Sequence, residues 1–315
     1  MPDKIAIIGA GIAGATAARM LSDAGHDIVL FEKSGGTGGR LSTRRTDYGE
    51  FDHGAQYVSA KSEPFRAVMD GLIKKNTAAL WTPDGKDRDG KWHVGLPGMS
   101  GLVKPLLEGI NIKKRTRITE IQRARDGIVC ASEEGRASSF DKVIVAIPSP
   151  QASALLRHVD SAFEPLDDIV YMPCWTSMFS FDNTIDTLPN LYRGEDTMAI
   201  SWLTRNNTKP KRSGAESICA QAGAIWSRDN LELDKSDVLQ LMQTALEKMA
   251  GCKLAPVYAQ AHRWRYARVD RPLGKPFLAS DDGALFAIGD GMLGGRVEAA
   301  FESARQLCVH LSDLH

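Results

Sequence analysis

The sequence has no excess of either charge: its 315 residues carry 39 Lys and Arg against 39 Asp and Glu. That balance gives no whole-molecule pull toward nucleic acid or anionic lipid. Cysteine is scarce. Cys130, Cys174, Cys219, Cys252 and Cys308 are scattered, odd in number and never paired as CxxC. This argues against a disulfide framework or a zinc site and suits a reducing cytosol. No apolar run is long enough to span a bilayer, and Met1-Pro2-Asp3-Lys4 leads straight into the first buried run without a signal-peptide pattern. There is no internal repeat and no low-complexity tract. There is no GxSxG, no HExxH, and the seven His are dispersed, so neither a nucleophile elbow nor a metal set is expected. Two local basic runs, "NIKKRTRITEIQRAR" and "TKPKRS", read as a solvated strand face and an exposed loop. What remains is a globular composition, 43% hydrophobic, with room for one large or two ordinary domains.

What is abundant is glycine, and its placement carries chemistry. "KIAII" reads as a buried parallel strand; Gly9, Gly11 and Gly14 follow at GxGxxG spacing. "IAGATAARMLSDAG" reads as a helix packed close to a sheet and ended by Gly25, and "DIVLFEK" as a second buried strand closing with Glu32. Gly9 makes the tight turn, Gly11 admits the backbone to a pyrophosphate, and Gly14 lets helix and strand close up. The helix N-terminus offers free N–H groups to the anion. Glu32 accepts hydrogen bonds from ribose hydroxyls. These parts point to a dinucleotide without saying which.

A second glycine loop, Gly35 to Gly39, ends in Arg40, whose guanidinium suits a phosphate oxygen pair. At the far end "LFAIGDGMLGGRVEAAFESARQL" reads as a buried strand, a glycine-rich turn with Asp290, and a helix starting near Gly295. This segment must return to the sheet begun by the first unit. Asp290 suits a ribityl hydroxyl. The helix N-terminus near Val297 suits the pyrimidine edge of a flavin, where negative charge develops on reduction.

Taken together, "GAGIAG" with Glu32, "GGTGGR", "DHGAQY", "VIVAIPSP" and "AIGDGMLGGRVEAAFESA" resemble the FAD-dependent amine oxidase superfamily along nearly the whole chain. Within it, "GEFDHGAQYVSA", "GLPGMSGLVKPL" and "HRWRYARV" are most similar to the bacterial renalases. The resemblance implies FAD as the cofactor. It is expected to be non-covalent, because the last turn lacks the cysteine used for a flavin link by monoamine oxidases. It places Ile12 and Ala13 at the pyrophosphate, with Gly9, Gly11, Gly14 and Gly39 shaping the loops. Glu32 and Lys33 lie by the adenosine ribose, Arg40 at a phosphate, and the backbone of Ile118 by adenine. Gln56 and Tyr57 fall beside the flavin ring, and Asp290 and Val297 at the ribityl chain and pyrimidine edge.

The rest of the chain reads as a second domain inserted in a discontinuous cofactor domain, an α/β Rossmann-type architecture with an antiparallel sheet and a helix as substrate roof. The expected division is 1–60, 98–155 and 268–315 for FAD, and 61–97 with 156–267 for substrate. "SEPFRAVMDGLIKKN" and "SDVLQLMQTALEKMAG" read as helices, and "KWHVGLPGMSGLVKPLLEG" as strand, turn and helix. "CWTSMFSFD", "TMAISWL", "ESICAQAG" and "VYAQAHRWRYA" read as strands alternating polar and apolar sides.

Renalases oxidise dihydro-NAD(P) isomers carrying the extra hydride at ring position 2 or 6, with oxygen as acceptor and NAD(P)+ and hydrogen peroxide as products. Loss of hydride restores aromaticity, so no catalytic acid–base residue is expected from the protein, only stacking and alignment. Substrate contacts are expected from Tyr57, Ser59, Ala60 and Lys61, from the turn Leu96, Pro97 and Gly98, and from Trp264 and Gly291. His53 reads as a structural turn residue; His262 stays open. No metal, nucleic acid or membrane partner is expected, and the oligomeric state is not legible. A true amine oxidase with an aromatic cage, a carotenoid-type desaturase or isomerase, and a non-enzymatic flavin-binding module are the competing readings.

Overall fold

The computed structural model describes residues 2–83, 91–212 and 214–313. By packing, the chain divides into two units: 1–39, 103–170 and 269–315 form the first, and 40–102 with 171–268 the second. Residues 40–60 and 98–102 thus pack with the second unit and 156–170 with the first, a different partition from the one drawn by expected cofactor contacts.

The first unit is built on a six-stranded sheet. Its spatial order is Leu278–Ala279, Leu285–Ala287, Lys142–Val145, Lys4–Ile8, Asp27–Glu32 and Asn111–Lys114. All neighbours are parallel except the edge strand Leu278–Ala279. Ile7 lies between Leu30 and Ile144, and Ile144 pairs with Phe286, so the far end of the chain does return to the opening sheet. The strands are continuous apolar runs because both faces are covered. The helix Ile12–Asp23 buries Ala13, Ala15, Ala17 and Ala18 and packs against the helix Val297–Asp313, which buries Ala299, Ala300 and Ala304. Alanine on both helices permits that close approach. A three-stranded antiparallel sheet, Ile118–Ala124, Gly127–Ser132 and Ala137–Phe140, completes this unit with the helix Ser149–Leu156.

The second unit centres on a five-stranded sheet in the order Leu191–Arg193, Trp202–Arg205, Glu216–Gln221, Val170–Phe181 and Tyr258–Arg271. The helix Lys235–Ala250 lays Val238, Met242, Leu246 and Ala250, four residues apart, onto Trp175, Phe179, Phe181, Leu203 and Ile218. It ends at Gly251, left-handed at φ 71°. The expected alternation fails for "ESICAQ", where Glu216 to Ala220 are all buried. The strand is central, and its second face is covered too: Cys219 and Met178 pack there with Phe51 and half-buried Tyr258. "TMAISWL" yields a strand only at Trp202–Arg205. A smaller sheet pairs Val58–Ser59 and Ala78–Leu80 with the central strand Trp92–Gly95. The helix expected after that strand is instead two short 3-10 segments, Met99–Leu102 and Lys104–Leu107. Pro105, which lacks an N–H, is the second residue of the latter.

Candidate active site

In the first unit the fingerprint loop is shaped by contact. Gly9 sits at φ 109° and donates its N–H to Phe31 O at 2.8 Å. A Cβ on Gly14 would stand 1.9 Å from Gly9 O, so helix and loop touch where only hydrogen fits. A Cβ on Gly11 would meet nothing within 4 Å, and Gly11 caps the helix with no side-chain bond to its first N–H groups. The N–H groups of Ile12 and Ala13 therefore open an uncapped helix beside open space, which fits a pyrophosphate. Gly39, at φ 54°, brings the second glycine loop alongside: its Cβ would lie 3.4 Å from Gly11 Cα.

Glu32 is buried at the end of its strand. Its Oε2 accepts from Ala10 N at 3.0 Å, and its Oε1 from Ser34 N at 2.8 Å and Ser34 Oγ at 2.6 Å. These bonds fix the carboxylate and leave Oε2 acceptor capacity for a hydroxyl. Lys33 is exposed. Ile118 is buried at the head of its strand, opposite Ser132. Asp290 begins a four-residue helical turn and is buried; its Oδ1 accepts from Gly291 N at 3.1 Å. Val297 is the first residue of the C-terminal helix. The open helix start at Ile12 and Ala13 and the fixed Glu32 carboxylate fit a dinucleotide.

The other expected residues pack in the second unit, around a group that sequence reasoning missed. Asp52 is fully buried and its carboxylate gathers four donors. Thr43 Oγ1 donates to its Oδ1 at 2.6 Å and Met99 N at 3.1 Å, while Lys209 Nζ and Arg212 Nη2 meet Oδ2 at 2.9 and 2.8 Å. Burial alone would push the Asp52 carboxyl up; the two cations and the Thr43 hydroxyl outweigh it and hold it well below the usual carboxylate range. Burial pushes the Lys209 ammonium down, opposed by Asp52. Within "TKPKRS", whose Ser213 lies outside the described residues, Lys211 is exposed as expected, but Lys209 and Arg212 are interior cations paired with Asp52.

This cluster sets the neighbouring residues. Gln56 is buried with its amide fully engaged, Nε2 donating to the carbonyls of Asp52 and Gly54 and Oε1 accepting from Lys209 at 3.2 Å. Arg212 Nη1 donates to Gly95 O at 3.0 Å, one residue before the turn Leu96, Pro97 and Gly98. Gly98 lies so close to Thr43 that a Cβ would meet its Oγ1 at 2.4 Å. Arg40 donates to the carbonyls of Tyr266 and Ala267, each at 3.3 Å, and lies 5.9 Å from the Tyr171 ring.

Tyr57 and Trp264 stand in separate groups. Tyr57 stacks on Trp92 at 3.8 Å and faces Trp202 at 5.7 Å. Ser59 pairs with Trp92 across the strands; Ala60 is half-buried and Lys61 exposed. Trp264 donates its indole N–H to His53 O at 2.8 Å and packs with the rings of His53 and His262 at 5.2 and 4.4 Å. The two imidazoles touch edge to face at 5.0 Å. Burial, then the nearby Arg44, pushes His53 down to about 4; burial, then His53 itself, pushes His262 down to about 4. Trp92 and Trp202 carried no site motif, and Lys209 and Arg212 lie in a basic run that reads as solvated; only topology brings them here. Among the described residues no group of three His, Cys, Asp or Glu is placed to hold a metal, and no helix is long and apolar enough to cross a membrane.

Two outcomes are expected. Gly11→Ala fits the free protein, so it folds with native stability but is purified with little flavin, whereas Gly14→Ala lowers the urea midpoint as well; absorbance and denaturation read both. For the histidines, the folded rings titrate near 4 against an ordinary 6.5, so between those values only the unfolded chain takes up the protons. Stability therefore falls as the pH is lowered through that window and is insensitive to these rings above it. A urea midpoint that drops between about pH 7 and about pH 5, and drops less in His262→Asn, is the expected result.

Comparison with known proteins agrees with this geometry. Residues 7–72 match the model of an NAD(P)-binding Rossmann-like domain, and residues 72–311 that of the flavin containing amine oxidoreductases. An L-amino-acid oxidase of Mus musculus is 48% identical over 46 residues, 15% of this chain and 7% of that protein. A 4,4'-diapophytoene desaturase of Staphylococcus aureus is 42% identical over 55 residues, 18% of this chain and 11% of its own. The matched stretches thus span a small part of those relatives. Two solved structures each align over 99% of both chains. They are a protoporphyrinogen-oxidase-like protein of Exiguobacterium sp. 255-15, with TM-score 0.79 and 14% identity, and the cyclohexylamine oxidase of Brevibacterium oxydans IH-35A, with TM-score 0.74 and 12% identity. At such identities they establish the fold. With the family model matched over most of the chain, this protein belongs to the flavin containing amine oxidoreductases, and its cofactor is FAD.

Proposed function

We propose that the chain is a renalase-type oxidase of misreduced nicotinamide dinucleotides, acting on 2- or 6-dihydro-NAD(P) with non-covalent FAD. Per turnover the dinucleotide loses a hydride, and with one O2 and one proton the products are NAD(P)+ and H2O2. FAD supplies the hydride acceptor and the route to oxygen. The chain's own residues bind and orient. Gly9, Gly11, Ile12, Ala13, Gly14, Gly39 and Arg40 hold the pyrophosphate, and Glu32, Lys33 and Ile118 the adenosine. Gln56, Tyr57, Asp290 and Val297 hold the flavin end. Tyr57, Ser59, Ala60, Lys61, Leu96, Pro97, Gly98, Trp264 and Gly291 receive the substrate, in a cytoplasmic protein.

One observation carries the reading: among the described residues, the titratable groups beside Gln56 and Trp264 include no free proton acceptor of ordinary strength. Asp52 is locked by Lys209 and Arg212. His53 and His262 are weak bases, pushed down to about 4 by burial. Burial pushes the Cys130, Cys219 and Cys308 thiols up to about 12. A donor whose oxidation restores an aromatic ring needs alignment, not a base. Amine oxidation is the second reading, supported by family membership. Against its aromatic cage, Tyr57 and Trp264 have separate ring partners.

Anaerobic mixing with 2-, 4- and 6-dihydro-NAD(P) and a panel of amines tests the proposal. Rapid bleaching of the flavin band by the 2- or 6-isomer, with peroxide on readmission of air, is expected. Bleaching by an amine alone would overturn it.

A further inference from the structure

Arg193 is an exposed arginine with an unusual set of neighbours. Its Nη2 donates to the Tyr57 hydroxyl at 3.1 Å, and its guanidinium lies 4.7 Å from the centre of the Trp202 ring and 5.1 Å from that of Trp92. The exposed Arg123, Arg265 and Arg268 each meet a carboxylate. Among the described residues Arg193 meets none. The position is fixed by two ladders: Arg193 stands opposite Trp202 on one pair of strands, and Ser59 opposite Trp92 on another. The Tyr57 ring lies nearly parallel to that of Trp92, 13° apart. Trp92 is buried, whereas Tyr57 and Trp202 are half-buried and keep ring surface open.

A guanidinium lying on indole faces is held in one orientation and partly stripped of water, yet the rings supply no anion to neutralise it. Among the described residues only one of its donor nitrogens has an acceptor, which leaves the remaining fork to a phosphate oxygen pair. The half-open rings beside it suit a planar heterocycle, which stacks on any aromatic face.

We propose that Arg193, seated on Tyr57, Trp92 and Trp202, receives a phosphate of a nucleotide while the half-open rings take one of its heterocycles. This deepens the dinucleotide reading given above and rests on it. It makes Arg193 a determinant of affinity for phosphate-bearing substrates, with no part in hydride transfer. Inorganic phosphate shares the anion but not the ring; nicotinamide riboside shares a ring but not the anion.

The holoenzyme is titrated with ADP-ribose, inorganic phosphate and nicotinamide riboside while tryptophan emission is followed. ADP-ribose is expected to quench saturably and more tightly than inorganic phosphate. Arg193→Met is expected to weaken ADP-ribose by about tenfold or more, the loss of a charge-assisted hydrogen-bond pair. Arg193→Lys retains part of the affinity, nicotinamide riboside is indifferent to either change, and Arg228→Met, on an exposed helix paired with Asp229, binds as the native protein does. Native affinity for ADP-ribose in Arg193→Met, or no saturable quenching in the native protein, overturns the proposal. The two readings separate cleanly. If dihydronicotinamide dinucleotides reduce the flavin but Arg193→Met binds ADP-ribose normally, the seat falls and the oxidase stands. If ADP-ribose binds through Arg193 but no dihydronicotinamide dinucleotide reduces the flavin, the seat stands and the oxidase falls.

Discussion

Much of the second unit depends on one buried carboxylate. Asp52 has no access to water and carries charge only because Lys209 and Arg212 are buried with it. An isolated ion there would neutralise. The same residue holds Thr43, the Met99 N–H and, through its own carbonyl, the Gln56 amide. Its N–H donates to Asn206 Oδ1, and Asn206 reaches back to Glu50 O. Three stretches far apart in sequence, 43–52, 95–99 and 206–212, are pinned to one point. Buried ion pairs are weak contributors to net stability against apolar packing. The value of this one lies in position: it leaves Gln56 and the turn after Gly95 a single arrangement.

The two arginine environments of this unit show the same chemistry put to opposite ends. Arg212 is buried against Asp52, so its charge is spent on structure. Arg193 is exposed on an aromatic floor and meets no carboxylate among the described residues. The histidines form a third case. His53 and His262 touch each other and Trp264, lie near Arg44, and stay neutral at ordinary pH. The interior beside the expected flavin-side residues is thus electrostatically settled, which suits a reaction whose driving force resides in substrate and cofactor.

Local patterns in the sequence are sufficient for the fingerprint that opens the first unit. Gly9, Gly11, Gly14 and Glu32 sit between a strand and a helix whose periodicities are unmistakable, and the backbone there is dictated by nearest neighbours. The helix Lys235–Ala250 was equally legible from its apolar spacing and Gly251 stop. The errors arose where a distant residue decides. "TKPKRS" is basic enough to look solvated, and nothing nearby reveals that Asp52, more than 150 residues earlier, draws Lys209 inside. "ESICAQ" looked half-polar, but a second layer holding Phe51 covers its outer face. Trp92 and Trp202 meet Tyr57 only through pairing of strands that no local signal specifies.

The dependence of this unit on Asp52 is tested most directly by a double-mutant cycle between Asp52→Asn and Lys209→Met, read by urea denaturation. If the pair is the constraint described here, each single change leaves a buried charge poorly matched and costs about 3–5 kcal/mol. The double variant then loses much less than the sum, a coupling of about 1.5 kcal/mol or more. Losses that add to within about 0.5 kcal/mol would mean that Asp52 and Lys209 act independently. The buried cluster would then not be what holds Gln56 and its neighbours in place.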